Sequence, residues 1–181
     1  SVAMVMKRLR GRRWDALIRE DHAAGRLPQL KGLARQFAIL DALTRAVAYA
    51  HSRGVLHLDL KPNQVIVGEF GETYLCDWGM AARLRPDGTL DFVTRPTGPF
   101  GTPEFMAPEQ ALGDLEAVGV RTDTYLLAGL AHFILTNSPP HPEGRDMGEA
   151  IDLARLNRLV PLPDSVPPML RSVVGKGLSA R

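Results

Sequence analysis

Asp59, Lys61 and Asp77 are the residues whose types and spacing could do chemistry. Residues 57–65 read His-Leu-Asp-Leu-Lys-Pro-Asn-Gln-Val, and Asp77-Trp78-Gly79 follows after a turn and a short apolar run. A carboxylate two residues before a lysine, followed by a second carboxylate in a strand-turn setting, suits phosphoryl transfer from a metal–nucleotide complex. One acid accepts the proton of the attacking hydroxyl, and the lysine balances developing phosphate charge. The second acid holds magnesium.

These groups need a scaffold, and the periodicity of the chain supplies one. Leu33, Phe37, Leu40, Leu43, Val47 and Ala50 step by three or four, which predicts an amphipathic helix from about Leu30 to Ser52, stopped by Gly54. Trp14 to Ala24 reads as a shorter helix ending at Gly25 and Pro28. Val2–Met6, Val55–Leu58, Val65–Val67 and Thr73–Cys76 read as short strands. From Gly79 to Pro108 the chain is rich in Pro, Gly and Thr without a period, and is expected to be a long functional loop. Helices are expected at Ala107–Leu112, Thr122–Leu135, Met147–Leu159 and Pro168–Leu178, the second apolar nearly all round and therefore buried. The fold class is thus α+β, a mostly helical lobe with a few short antiparallel strands around the Asp59 loop.

Composition sets the outer limits. With 181 residues, 45% apolar and 23% charged, the chain can bury a real core in one domain. The formal charge is only +2. The early cluster Lys7, Arg8, Arg10, Arg12 and Arg13 reads as a solvated face, so no nucleic-acid partner is expected. The single cysteine, Cys76, excludes an internal disulfide and fits a reducing, cytoplasmic compartment as a small buried thiol. No apolar run reaches the roughly 20 residues of a membrane span.

Taken together, the motifs resemble the C-terminal lobe of a eukaryotic-like protein kinase of the serine/threonine type found in bacteria. His57-Leu58-Asp59-Leu60-Lys61-Pro62 matches the catalytic loop and Asp77-Trp78-Gly79 the magnesium loop. Gly101-Thr102-Pro103-Glu104-Phe105-Met106-Ala107-Pro108-Glu109 matches the end of the activation segment, and Asp123 a buried helix aspartate. The resemblance covers residues 1–181 and implies ATP and Mg2+ as cofactors and protein Ser/Thr hydroxyls as substrates. It makes Asp59 the catalytic base, Lys61 a contact to the γ-phosphate and Thr102 a partner of both. It makes Asp77 and Gln64 the metal ligands. Met6 aligns with the gatekeeper, Leu9 with the hinge residue offering its backbone to adenine, and Ile66 with the apolar floor of the pocket.

Two positions depart from that pattern. Gln64 stands where the family has Asn, and the extra methylene lengthens its reach by more than ~1 Å at a metal that requires near-ideal octahedral geometry. Weak or water-mediated ligation is expected; Asn63 would substitute only if the loop shifted. Leu58 stands where an Arg commonly receives an activation-loop phosphate, so a switch through residue 58 is not expected. Thr89, Thr94 and Thr97 read as exposed loop threonines. Trp78 replaces Phe and is expected in the core, and Gly79 is expected to give the metal loop its backbone freedom.

The resemblance also implies parts not found in these 181 residues: a Gly-rich phosphate loop, a strand lysine and its helix glutamate. Ser1 therefore reads as a truncation point. The partner arginine of Glu109 would lie past Arg181, so the C-terminus reads as cut too. A docked N-terminal lobe is expected on the nucleotide face, and the isolated chain is expected to bind ATP poorly. Two other functions stay open: a pseudokinase scaffold, motivated by Gln64, Leu58 and the absent lobe, and a small-molecule phosphotransferase of the aminoglycoside or choline kinase type. Thr102 and the Ala107-Pro108-Glu109 segment, which serve peptide docking in the family, argue against the last.

Overall fold

The computed structural model describes residues 9–27, 30–92 and 95–180. The expected strand Val2–Met6, together with Met6, Thr94 and Arg181, lies outside the described residues. Among those described, the order is β1 (Arg12–Arg13), α1 (Trp14–Ala23), α2 (Leu30–Ser52) and β2 (Val55–Leu56). A 3-10 turn (Pro62–Gln64), β3 (Val65–Val67), β4 (Thr73–Leu75), β5 (Ala82–Leu84) and β6 (Leu90–Phe92) follow. The chain ends with α3 (Pro108–Leu112), α4 (Val120–Thr136), α5 (Met147–Arg155) and α6 (Pro168–Gly177).

The helical body is built around α4. Leu126, Leu130 and Ile134 on α4 and Leu43 and Val47 on α2 are almost fully buried in one cluster with Trp14 and Ile18 of α1. Each such side chain contributes about 1.5–3 kcal/mol of burial. The buried stripe of α2 runs through Gln36, Ile39, Leu43 and Val47, with Leu33, Phe37 and Leu40 on its shoulder. Gln36 is there for a polar reason. Its amide accepts from Trp14 Nε1 at 2.6 Å and donates to the buried Asp21 at 2.6 Å, while Arg26 Nε donates to Asp21 at 2.7 Å. Burial alone would raise the Asp21 carboxyl, but these hydrogen bonds and the Arg26 and Arg35 charges hold it below its ordinary value. This chain of contacts fixes α1 against α2. Of the early basic residues, Arg10, Arg12 and Arg13 are exposed, with Arg12 paired to Glu20 and Arg13 to Asp15, while Lys7 and Arg8 lie outside the described residues.

Two three-stranded antiparallel sheets sit at one end of this body, in orders β1-β3-β4 and β2-β5-β6. In the first, Val65 faces Leu75, Ile66 faces Tyr74 and Val67 faces Thr73. Val65 and Val67 are buried in the helical core, so Ile66 is on the opposite face by strand alternation. Gly11 lies against the same strand, and a Cβ there would come within 2.5 Å of the Val67 carbonyl oxygen. The second sheet corrects the expected long loop. β5 and β6 form a hairpin closed by Arg85–Thr89, with Gly88 at φ +85°, and β2 pairs with β5 and not with β3. Asp87-Gly88 is the type of pair that closes such a hairpin, but strands of three residues carry too little alternation to register.

Candidate active site

Between β2 and β3 the chain turns through Leu58, whose φ of +65° lies in the left-handed region that costs a non-glycine residue about 1–2 kcal/mol. Three hydrogen bonds hold it there. Asp123, fully buried near the start of α4, accepts from His57 N and Leu58 N, both at 2.8 Å, and Gln110 Nε2 donates to Leu58 O at 2.7 Å. His51 Nε2 meets the same Asp123 carboxylate at 2.7 Å. The Leu58 side chain is buried with Leu56, Ala82, Phe100 and Val118, packed by Phe92 and Met80. An apolar cluster therefore stands where a phosphate-binding arginine would stand in the family.

That turn presents Asp59, only 9% exposed. Its Oδ1 accepts from Thr102 Oγ1 at 2.8 Å. Its Oδ2 accepts from Lys61 Nζ at 2.9 Å and Gln64 Nε2 at 2.7 Å. Lys61 Nζ closes the triangle by donating to Thr102 Oγ1 at 2.7 Å. A carboxylate offers about four acceptor directions and an ammonium three donors. Among the described residues, Asp59 keeps about one acceptor direction free and Lys61 about one donor. A hydroxyl and a phosphoryl oxygen are the partners these would take.

Asp77 follows β4 and is exposed, itself left-handed at φ +60°. Its Oδ2 accepts from Gln64 Nε2 at 3.3 Å, so one amide group bridges both carboxylates. Gln64 Oε1 is buried and has no partner among the described residues. Amide and carboxylate oxygens are hard donors of the kind magnesium takes, but the amide turns its NH2 and not Oε1 toward Asp77, so Oε1 would meet a shared ion only once the amide turns over. Asn63 is exposed, one residue away from this arrangement.

Three expectations about the neighbourhood need correction. Trp78 is 38% exposed and not in the core; its ring packs edge-on against His57, centroids 4.6 Å apart, and its Nε1 donates to Leu75 O at 3.3 Å. Gly79 does not take a positive φ; the left-handed residue is Asp77. What Gly79 provides is space, since a Cβ would lie 3.3 Å from Asp77 Oδ1. Cys76 is half-buried and lies just past the strand. Burial and then the Asp77 charge push its thiol up. His57 is held below its ordinary value by burial, against the charges of Asp123, Asp59 and Asp77. The neutral ring accepts from Asp59 N at 3.3 Å through Nδ1 and donates through Nε2 to Cys76 O at 3.3 Å, joining the two acidic loops.

Among the described residues, the side chains of Ile66 and Leu9 take no part in these hydrogen bonds. Ile66 is half-buried on the sheet face away from the helical core, and Met6 lies outside the described residues. Leu9 is half-buried and lines an open cavity of about 790 Å3 with Gly11, Leu17, Val67 and Tyr74. That cavity is not lined by Asp59, Lys61 or Asp77. Thr89 is tied to its own turn, donating to Asp87 at 2.7 Å. Glu109 is half-buried and accepts from Thr122 Oγ1 at 2.7 Å. Sequence reasoning missed His51 and Gln110. Neither belongs to a motif with its own chemistry, and only tertiary contact reveals them.

A helical body, an Asp-x-Lys loop backed by a buried aspartate, and a second acid on a neighbouring hairpin define a protein kinase fold. A protein kinase domain model matches residues 1–178, and the chain belongs to that family. It is 34% identical over 151 residues to the serine/threonine-protein kinase PknD of Mycobacterium tuberculosis, a match covering 81% of this chain and 22% of that protein. It is 30% identical over 173 residues to PknD of Chlamydia caviae, covering 85% and 18%. It is 37% identical over 115 residues to PknD of Protochlamydia amoebophila, covering 56% and 12%. The chain thus spans about a fifth of these relatives' length or less. No helix among the described residues is long and apolar enough to cross a membrane.

Proposed function

We propose that the chain carries the catalytic centre of a serine/threonine protein kinase that transfers the γ-phosphate of ATP to protein hydroxyls. The observation that carries this reading is the closed triangle of Asp59, Lys61 and Thr102, with one acceptor and one donor left over. The substrate hydroxyl donates to the free direction on Asp59, which orients the oxygen and takes its proton late in the transfer. Lys61 gives its remaining N–H to the moving phosphoryl group, and Thr102 keeps acid and ammonium in register. Asp77 and Gln64 Oε1 would hold Mg2+, which when bound neutralises charge on the β- and γ-phosphates. Ile66 provides apolar floor for the adenine and Leu9 its backbone. A small lobe carrying the phosphate loop would dock over Ile66 and Trp78, covering the nucleotide.

Gln64 favours one alternative, a pseudokinase scaffold, because its NH2 occupies both carboxylates. The discriminating experiment measures Mg·ATP binding and phosphate transfer to a basic protein, in the full protein and its Asp59→Asn variant. Binding in both with transfer lost in the variant supports the kinase. Absence of nucleotide binding in the full protein rejects it. Transfer to aminoglycosides or choline would reassign the substrate class.

A further inference from the structure

Gln110 lies one residue past the Ala107-Pro108-Glu109 segment, is fully buried, and takes no part in the chemistry above. Its amide nevertheless touches both arms of the site. Nε2 donates to Leu58 O at 2.7 Å, immediately before Asp59, and Oε1 accepts from Ala107 N at 3.1 Å, at the head of α3. Its backbone oxygen accepts from Phe100 N at 3.3 Å. The side chain also sits against Gly101, where a Cβ would come 3.1 Å from Nε2; Gly101 takes φ +104° and directly precedes Thr102. One residue thus holds the position before Asp59 and the two before Thr102.

We infer that Gln110 is a positioning residue that sets the Asp59–Thr102 contact. This rests on the kinase reading for its catalytic consequence but not for its geometry. The Leu58 carbonyl belongs to a left-handed residue, so without its donor the turn loses one of the restraints opposing relaxation. A buried carbonyl left unpaired is itself unfavourable. Relaxation at Leu58 moves Asp59, and without the amide beside Gly101 the backbone before Thr102 is less restrained; the Phe100 N contact, made to the Gln110 backbone, remains. The distance that suffers is the 2.8 Å hydrogen bond between them. Gln is suited to the task because its amide donates in one direction and accepts in the other. Glu keeps the acceptor for Ala107 N and, when ionised, opposes the Leu58 carbonyl with a second oxygen, so its effect should grow as pH rises. Met keeps the length and does neither.

The test uses Gln110→Glu and Gln110→Met in the full protein, with two readouts. The first is amide hydrogen exchange of residues 57–60 and 100–103, with α4 as an internal reference. Both variants should exchange faster in these two segments, with α4 unchanged, and the Ala107 amide should lose protection in Met but keep it in Glu. Unchanged exchange in both segments overturns the inference, as does uniform loss of protection that includes α4. The second is steady-state kinetics. A roughly ten- to hundredfold fall in kcat at near-constant KM for Mg·ATP is expected, and an unchanged kcat overturns the positioning role. If wild type transfers no phosphate, the kinase reading fails and the exchange result alone decides the geometric claim.

Discussion

Asp123 Oδ1 accepts from the Leu58 amide at 2.8 Å, across 65 residues of sequence. Through this bond the first turn of α4 dictates the backbone conformation from which Asp59 emerges. The same carboxylate receives His57 N and His51 Nε2, so a fully buried charge is met by three donors. Asp123→Asn cannot serve both backbone amides, because one of its two positions becomes a donor. A loss of about 3 kcal/mol in unfolding free energy is expected, measured by urea denaturation. A variant as stable as wild type would show that this buried carboxylate does not anchor the turn.

Leu58 itself offers a second test. Reintroducing the arginine of the family pattern, Leu58→Arg, would put a cation among Leu56, Ala82, Phe100 and Val118 with no acid in the cluster. Destabilisation by several kcal/mol is expected in thermal or urea unfolding. Phosphatase treatment of the wild-type protein should leave its transfer rate unchanged, since no cation at residue 58 is available to read a loop phosphate.

Gln64 should set the metal requirement. Shortening it by one methylene in Gln64→Asn reduces its ability to bridge Asp59 and Asp77 and restores the reach the family uses. The Mg2+ concentration needed for half-maximal nucleotide binding should fall. Gln64→Ala, which removes the amide oxygen, should raise it about tenfold or more. Equal Mg2+ dependence in all three proteins would remove Gln64 from the metal site.

Acid stability follows from the buried histidines, two of which, besides His57, lie in the helical body. His141 faces the carbonyls of Arg158 at 2.8 Å and Met106 at 3.0 Å and the Tyr125 hydroxyl at 3.0 Å; His132 faces Val160 O at 2.8 Å and Ser138 O at 3.1 Å. Burial holds both below the ordinary 6.5, against these carbonyls and, for His141, the Glu104 charge. The unfolded chain therefore binds protons first as pH falls. Stability should decrease as pH drops below about 6.5 and level off once the folded histidines are also protonated. Urea midpoints from pH 7.5 to 5 would display the slope, and His141→Gln should flatten it.

The elements visible in the sequence are those whose physics is local. The α2 helix carries a 3.6-residue period over 23 residues, and its end at Gly54 uses a left-handed glycine at φ +70°. Asp59, Lys61, Thr102 and Asp77 were legible because their order and spacing carry chemical meaning, and the geometry brings them within hydrogen-bond reach of one another or of Gln64. What stayed hidden is what depends on distant partners. Strand β2 finds β5 across the Asp59 loop, and three-residue strands have no readable alternation. Gln36 occupies an apolar position because Trp14 and Asp21 meet there. Trp78 reads as a core aromatic by type, yet the described residues cover only part of it.

The hydrocarbon packing around Leu58 also governs what the β5–β6 hairpin responds to. A latch made of methyl and phenyl groups is indifferent to ionic strength and to the charge of its surroundings. It weakens instead on cooling, as apolar contacts do. The attachment of β5 and β6 to the Asp59 loop should therefore loosen at low temperature and hold firm in high salt.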